Sequence, residues 1–311
     1  MQSKTGKILL RYNAYSDILK EYMNLEEFRN LSSLTISSKR LTITSFINYL
    51  GDNNVSNFQH CLQKNVTGYL SSLVGLASST ISGRTFILRH FFNFLNSKNL
   101  TIFSGSELFP VIFTNKQERI LSFYSIEEIG RVISATDRST PYGKRDFIVV
   151  LLAAELGIRS GDIIRLKISN IHWERNTIEF VQDKTKVFNQ LPLLEHIKYA
   201  LIDYLKDGRP ESELEYIFIG KRNGGKPLSN TCIHQIISKY FCKAGIDISE
   251  RKHGPHAMRH SLASNMLHNN TPMHVIKDVL GHSNINTTRM YLNIDIDSLR
   301  ELSLEVPYET V

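Results

Sequence analysis

The chain carries an ordered set of basic residues that ends in a tyrosine. Arg159 stands in Gly157-Ile-Arg-Ser-Gly-Asp162 and Lys184 in Gln182-Asp-Lys-Thr185. His256 and Arg259 follow in His256-Ala-Met-Arg259, then His282 after Gly281, and Tyr291 closes the series. Two guanidinium groups, an ammonium and two imidazoles are what a protein gathers around a phosphate, the arginines matching its paired oxygens. A tyrosine placed among them could attack the phosphorus and hold the broken ester covalently.

Taken singly, none of these residues compels that reading. Arg159 next to Asp162 could be a surface ion pair. His256 and Arg259 are three apart and share a helix face, which also fits a buried histidine and a salt-bridged arginine. A tyrosine on a helical face is most often core packing. His253, His256 and His260 invite a metal reading. However, no glutamate follows in the H-E-x-x-H manner, and no carboxylate or cysteine partner is suitably spaced. The expectation is therefore no metal and no cofactor.

The elements that must carry these residues fall into two groups. Over 12–98 the pattern is helical. Leu88, Phe91, Phe92 and Leu95 form one apolar face at i, i+3, i+4, i+7, with Ser79 and Thr80 as candidate caps. Apolar clusters at Tyr15–Tyr22, Leu41–Leu50 and Val66–Val74 give three more helices. Arg84 and Arg89 lie on the last helix and are candidate DNA-binding residues of a basic surface, although solvated charges on an ordinary bundle read the same way. The pattern breaks over 99–122, where Ser104-Gly-Ser106 and Pro110 mark a linker. Ser125-Ile-Glu-Glu128 is a capping box, with Tyr124 and Ile129 placed as a hydrophobic staple, and a new domain begins there.

In that second part, Asp146–Leu156 reads as an apolar helix. Ser160 reads as the cap of a short helix after Arg159. Thr177–Val181 and Val187–Leu193 read as antiparallel strands around a polar tip, Gln182–Lys186. Helices follow near 195–206, 229–244, 256–269, 272–280 and 286–294, with Thr271 capping the one that Pro272 opens. The fold class is mostly α with a small antiparallel β-sheet (α+β). A helical domain covers 1–110, a linker 111–122, and a second domain with a C-terminal tail 123–311.

Composition restricts the function classes. With 41% hydrophobic and 22% charged residues, the 311-residue chain has the make-up of a folded globular protein. Its longest apolar run, Phe147 to Ala154, is far short of the roughly 20 residues a membrane helix needs. The start of the chain lacks the apolar core of a secretory signal. Cys61, Cys232 and Cys242 are odd in number and scattered, so neither a disulfide framework nor a zinc knuckle is indicated, and a reducing cytoplasm fits best. The net charge of +7 favours an anionic partner, and nearly all of the excess lies in residues 1–120.

Jointly, the motifs resemble the tyrosine recombinases, the phage integrase family. That pattern is an arginine in G-x-R-x-x-E/D, a lysine in a β-hairpin, H-x-x-R, G-H, and a tyrosine about nine residues on. The most specific segments are Gly254-Pro-His-Ala-Met-Arg-His-Ser261 and Leu280-Gly-His-x-x-x-x-Thr-Thr-x-x-Tyr291. The resemblance covers 120–295 closely and 10–100 more loosely, the latter as a SAM-like, core-type DNA-binding domain.

The resemblance implies a metal- and ATP-independent DNA strand transferase. Tyr291 would be the nucleophile of a 3′-phosphotyrosyl intermediate, with Arg159 and Arg259 clamping the phosphate and His282 hydrogen-bonded to it. His256 would assist proton movement, and Lys184 would be the general acid, with Lys186 in competition for that role. Asp162, in place of the family's usual glutamate, would support the arginine. The implied partners are double-stranded DNA with recombination sites, further copies of the chain as dimer and tetramer on a Holliday junction, and room for an accessory directionality factor. No membrane partner is implied, and the expected location is cytoplasmic, with the nucleoid.

Two alternatives remain at this stage: a type IB topoisomerase-like relaxing enzyme, and a catalytically inactive DNA-binding regulator on the same fold. The short stretch before the first helix leaves little room for an additional arm-type domain. Residues 295–311 could form a helix that docks on a neighbouring protomer or on their own domain.

Overall fold

The computed structural model describes residues 8–29, 31–112, 123–220 and 225–281. The chain divides into two compact units, Met1–Lys116 and Gln117–Val311.

The first unit is helical: α1 (Ser16–Phe28), α2 (Ser33–Asp52), α3 (Gln63–Ser72), α4 (Ser78–Ser97) and a one-turn α5 (Gly105–Leu108). Leu88, Phe91, Phe92 and Leu95 are all fully buried, so the apolar face read from spacing is the core face of α4. Aromatic rings interlock there edge to face: Phe46 lies 4.9 Å from Tyr69 and 5.7 Å from Phe92. This geometry suits the quadrupoles of aromatic rings. Ser79 and Thr80 are not the caps. The helix begins at Ser78 with Ala77 at the N-cap position and no side-chain cap.

The break at 99–122 also begins later than its composition implies. Ser104 and Glu107 form a reciprocal capping box that starts α5. Phe109 then inserts, fully buried, into the aromatic core, 5.1 Å from Phe92. Of the linker, only Val111 and Ile112 are among the described residues.

The second unit contains α6 (Ile126–Ser134), α7 (Pro141–Ala154), α8 (Ser160–Ile163), strands β1 (Ile171–His172), β2 (Thr177–Val181) and β3 (Phe188–Pro192), then α9 (Glu195–Asp207), α10 (Asn230–Lys243), α11 (Pro255–His268) and α12 (Met273–Leu280). The central element is α7, buried all round from Ile148 to Ala154 and packed by α6, α9, α10 and α11. A helix apolar on every side needs neighbours on every side. Thr140 caps it and Pro141 opens it, earlier than the apolar run alone indicates.

The three strands form one antiparallel sheet in the order β1-β2-β3, with Ile178 opposite both Ile171 and Leu191. The capping box at Ser125 is present, and Tyr124 and Ile129 are both buried beside it. Arg251 fixes this corner: it pairs with Glu128 at 2.7 Å and lies 3.8 Å over the Tyr124 ring. The Tyr124 amide donates to Ser261 Oγ at 2.8 Å, tying the entry of α6 to α11.

Candidate active site

Three chain segments converge at one end of the second unit: the turn between α7 and α8, the β2–β3 hairpin, and the facing ends of α11 and α12. Gly157 makes the first turn possible. It has φ +59°, and a β-carbon there would lie 2.9 Å from Leu262 Cδ2 and 3.0 Å from Leu280 Cδ2. Only glycine takes that backbone conformation without steric cost and leaves that space empty. The turn puts Arg159 at the N-cap position of α8, where Ser160 had been the expected cap.

Arg259, on α11, is buried, with 5% of its surface accessible. Its Nη1 donates to the Gly157 carbonyl at 2.5 Å and its Nη2 to the Leu280 carbonyl. The guanidinium therefore spans from the α7–α8 turn to the last residue of α12. Arg159 Nη1 donates to Gln182 Oε1, and Gln182 Nε2 in turn donates to the same Leu280 carbonyl at 3.1 Å. The two arginines are thus joined through one amide and one carbonyl oxygen.

Asp162 is buried, and its Oδ1 accepts the Asp183 amide at 2.8 Å. It holds the root of the hairpin turn. Its pKa is raised above the ordinary carboxylate value, chiefly by burial. The Asp183 amide and the charges of Arg159 and Arg259 oppose that shift.

Lys184 sits at the exposed tip of the hairpin. His256 lies on the first turn of α11 with an accessible edge. Its pKa is lowered first by the loss of water around the ring, then by the positive charges of Arg259, Lys184, Arg159 and His234. The charge of Lys184 thus reaches His256. Lys186 has φ +55° and pairs with Asp183 at 3.3 Å.

Of the sequence-derived residues, Arg159, Asp162, Lys184, His256 and Arg259 are brought together. His282 and Tyr291 lie outside the described residues. Arg84 and Arg89 are elsewhere, on α4 of the first unit. Arg89 donates from Nε (3.2 Å) and Nη2 (2.5 Å) to the Phe109 carbonyl, which fastens the end of α5. Sequence reasoning missed Gln182, taking it as part of a polar tip. The signal was present: residue 182 continues the alternation of residues 178 and 180 one position past the end of β2, and those two are apolar. Gln182 is 1% exposed.

The chain thus has a helical first unit, and a second unit whose helices and three-stranded sheet gather basic side chains at the sheet's hairpin. The chain belongs to the phage integrase family, whose model matches residues 123–297, and the family's N-terminal SAM-like domain matches residues 19–99. It is 28% identical over 288 residues to the tyrosine recombinase XerC of Bacillus pumilus, covering 90% of this chain and 92% of that one.

The fold is also that of solved structures. One is an XerH site-specific recombinase bound to palindromic difH substrate in a post-cleavage complex, with TM-score 0.74, 19% identity, and 91% of this chain and 82% of that one covered. Another is a lambda integrase tetramer bound to a Holliday junction, with TM-score 0.70, 16% identity, and 89% and 76% covered. Among the described residues, no helix is long and apolar enough to cross a membrane.

Proposed function

We propose that this chain is a site-specific recombinase that cuts and rejoins DNA through a 3′-phosphotyrosyl intermediate on Tyr291. The observation that carries the proposal is the convergence of Arg159, Lys184, His256 and Arg259 around the Gln182–Leu280 junction, one residue before Gly281-His282. Tyr291 Oη attacks the scissile phosphorus, the bond to the 5′-oxygen breaks, and a free 5′-hydroxyl leaves. Arg159 and Arg259 face the charge that builds on the non-bridging oxygens, where one such donor is worth ~10²–10³ in rate.

Lys184 gives the leaving oxygen its proton, a contribution of ~10²–10⁴ for a positioned acid. His256 takes up the proton from the tyrosine. Burial and the surrounding positive charges lower its pKa and so favour the neutral ring, which has a nitrogen able to accept. His282 hydrogen-bonds the phosphate. The phosphotyrosine conserves the ester bond energy, so a 5′-hydroxyl from a second duplex can reverse the step without ATP.

Exchange of both strands at two sites needs four such cleavages, one per protomer, which supports a tetramer acting through a Holliday junction. The lambda integrase tetramer of the same fold supports it further. The basic first unit, with Arg84 and Arg89 as candidates, supplies contacts to the DNA backbone, so binding weakens steeply with salt.

The test is covalent trapping. Duplex DNA from the flanks of the chain's own gene, located by footprinting and nicked next to the cleavage point, should accumulate a protein–DNA adduct. Footprinting without any adduct would refute catalysis and leave a DNA-binding regulator. Supercoil relaxation without pairing of two sites would mark a topoisomerase instead.

A further inference from the structure

We propose that Gln182 is the positioning residue that sets Arg159 and the Lys184 turn relative to Arg259; this rests on the recombinase reading above. Three groups converge on its one amide. Arg159 Nη1 and Thr185 Oγ1, the latter at 2.7 Å, both donate to Oε1. Nε2 donates to the Leu280 carbonyl, which also accepts from Arg259. Thr185 directly follows Lys184 in the turn, so the same oxygen that fixes an arginine also fixes the lysine's backbone. The backbone of Gln182 closes that turn. Its amide donates to the Val187 carbonyl at 2.9 Å, and its own carbonyl accepts the Lys186 amide at 2.9 Å.

No other side-chain type serves in this place. Arg159 has only donors and needs an acceptor, whereas the Leu280 carbonyl needs a donor. A primary amide presents both, on adjacent atoms, in one plane. Glutamate would set a negative oxygen against the carbonyl, and a hydrocarbon would satisfy neither side. The position is also closed to adjustment, because Gln182 is 1% exposed and a β-carbon on Gly281 would come within 2.0 Å of Nε2. A clamp of two arginines acts on a phosphate only if both forks are held at the same spacing in every cycle, and preorganised donors avoid reorganisation during the reaction. Gln182 supplies that spacing without touching the substrate.

A purely structural stitch between the hairpin and α12 would look similar in the resting protein, so the test uses a readout that such a stitch would not move. Wild type and Gln182→Met, which keeps the side-chain length but loses all three hydrogen bonds, are compared on the nicked flanking DNA. One substrate has a normal scissile phosphate, and the other has one non-bridging oxygen replaced by a methyl group. The neutral ester places less charge on the arginines, so their misplacement matters less.

Gln182→Met should bind the DNA as wild type does and cleave the normal phosphate ~10²-fold more slowly. On the methylphosphonate its deficit should shrink to within about tenfold, since less transition-state charge then depends on the clamp. A deficit of equal size on both substrates, or cleavage at the wild-type rate, overturns the proposal. If Gln182→Met unfolds, Gln182→Leu, which is likewise neutral and loses all three hydrogen bonds, carries the same comparison, with the same two overturning results. If wild type forms no adduct on either substrate, it is the recombinase reading that fails.

Discussion

Gly281→Ala should destabilise the protein by more than a glycine-to-alanine change in a turn normally does. Gly281 ends α12 in the left-handed region, at φ +59° and ψ +48°. An L-residue with a β-carbon pays about 1–2 kcal/mol to stand there. The new β-carbon would also lie 2.0 Å from Gln182 Nε2 and 2.7 Å from its Cδ, so the amide must move. A glutamine end usually swings aside cheaply. Here it is buried and held by Arg159, Thr185 and Leu280.

Loss of even one or two of those bonds costs about 0.5–1.5 kcal/mol each. The sum is about 1.5–5 kcal/mol, which for a unit of this size lowers Tm by roughly 3–20 °C at about 2–4 °C per kcal/mol. Thermal unfolding of the full chain measures it. Pairing Gly281→Ala with Gln182→Ala removes the group that is struck, so the double variant should be more stable than the sum of the two single effects by at least about 1 kcal/mol. A Gly281→Ala protein that melts with wild type, or single effects that simply add, would refute the close approach.

Two further predictions concern titration and the hairpin. Burial, and then the charges of His256, Arg259 and Lys252, lower the His260 pKa from 6.5 to about 4. The unfolded chain therefore binds a proton that the folded chain refuses. Stability from this site is intact above pH 6.5 and is lost as pH falls towards 4, on the order of 3 kcal/mol in full. His260→Asn should flatten that acid limb in pH-dependent denaturant unfolding, and an unchanged slope would contradict the assignment.

Lys184→Ala should slow cleavage by ~10²–10⁴. A substrate with a 5′-bridging sulfur, whose leaving group needs no proton, should restore it. If Lys186→Ala behaves this way and Lys184→Ala does not, the general acid is the other lysine.

Where a sequence pattern reported a repeating physical constraint, it located the element. The bounds of β2, Thr177–Val181, follow from alternation of branched and aromatic residues, and α9 to α12 lie within a residue or two of their expected positions. Ends set by a single side chain were less legible. Thr271 lies one residue too early, because α12 starts at Met273 with Pro272 at the N-cap position. β1 has only two residues, too few for any period to show. Phe109 sits between a Ser-Gly-Ser stretch and Pro110, which read as a break. Its burial depends on a cavity between α2 and α4 that no local pattern encodes.

In the site, the types and order of the basic residues were enough to raise phosphate chemistry. The sequence could not show that Asp162 holds the Asp183 amide, or that one carbonyl oxygen serves both Arg259 and Gln182. Those contacts join residues about 20 to 100 positions apart, and they exist only once the hairpin meets α12.

The most direct measurement is the identity of the residue that carries the DNA. After trapping on the nicked substrate and nuclease trimming, trypsin should release the peptide spanning 290–300, whose only tyrosine is Tyr291. Mass spectrometry should find that peptide heavier by a nucleotide linked through its 3′-phosphate, and Tyr291→Phe should bind DNA without forming the adduct. A nucleotide on any other peptide, such as the one carrying Tyr240, or an adduct that survives Tyr291→Phe, would contradict the central claim.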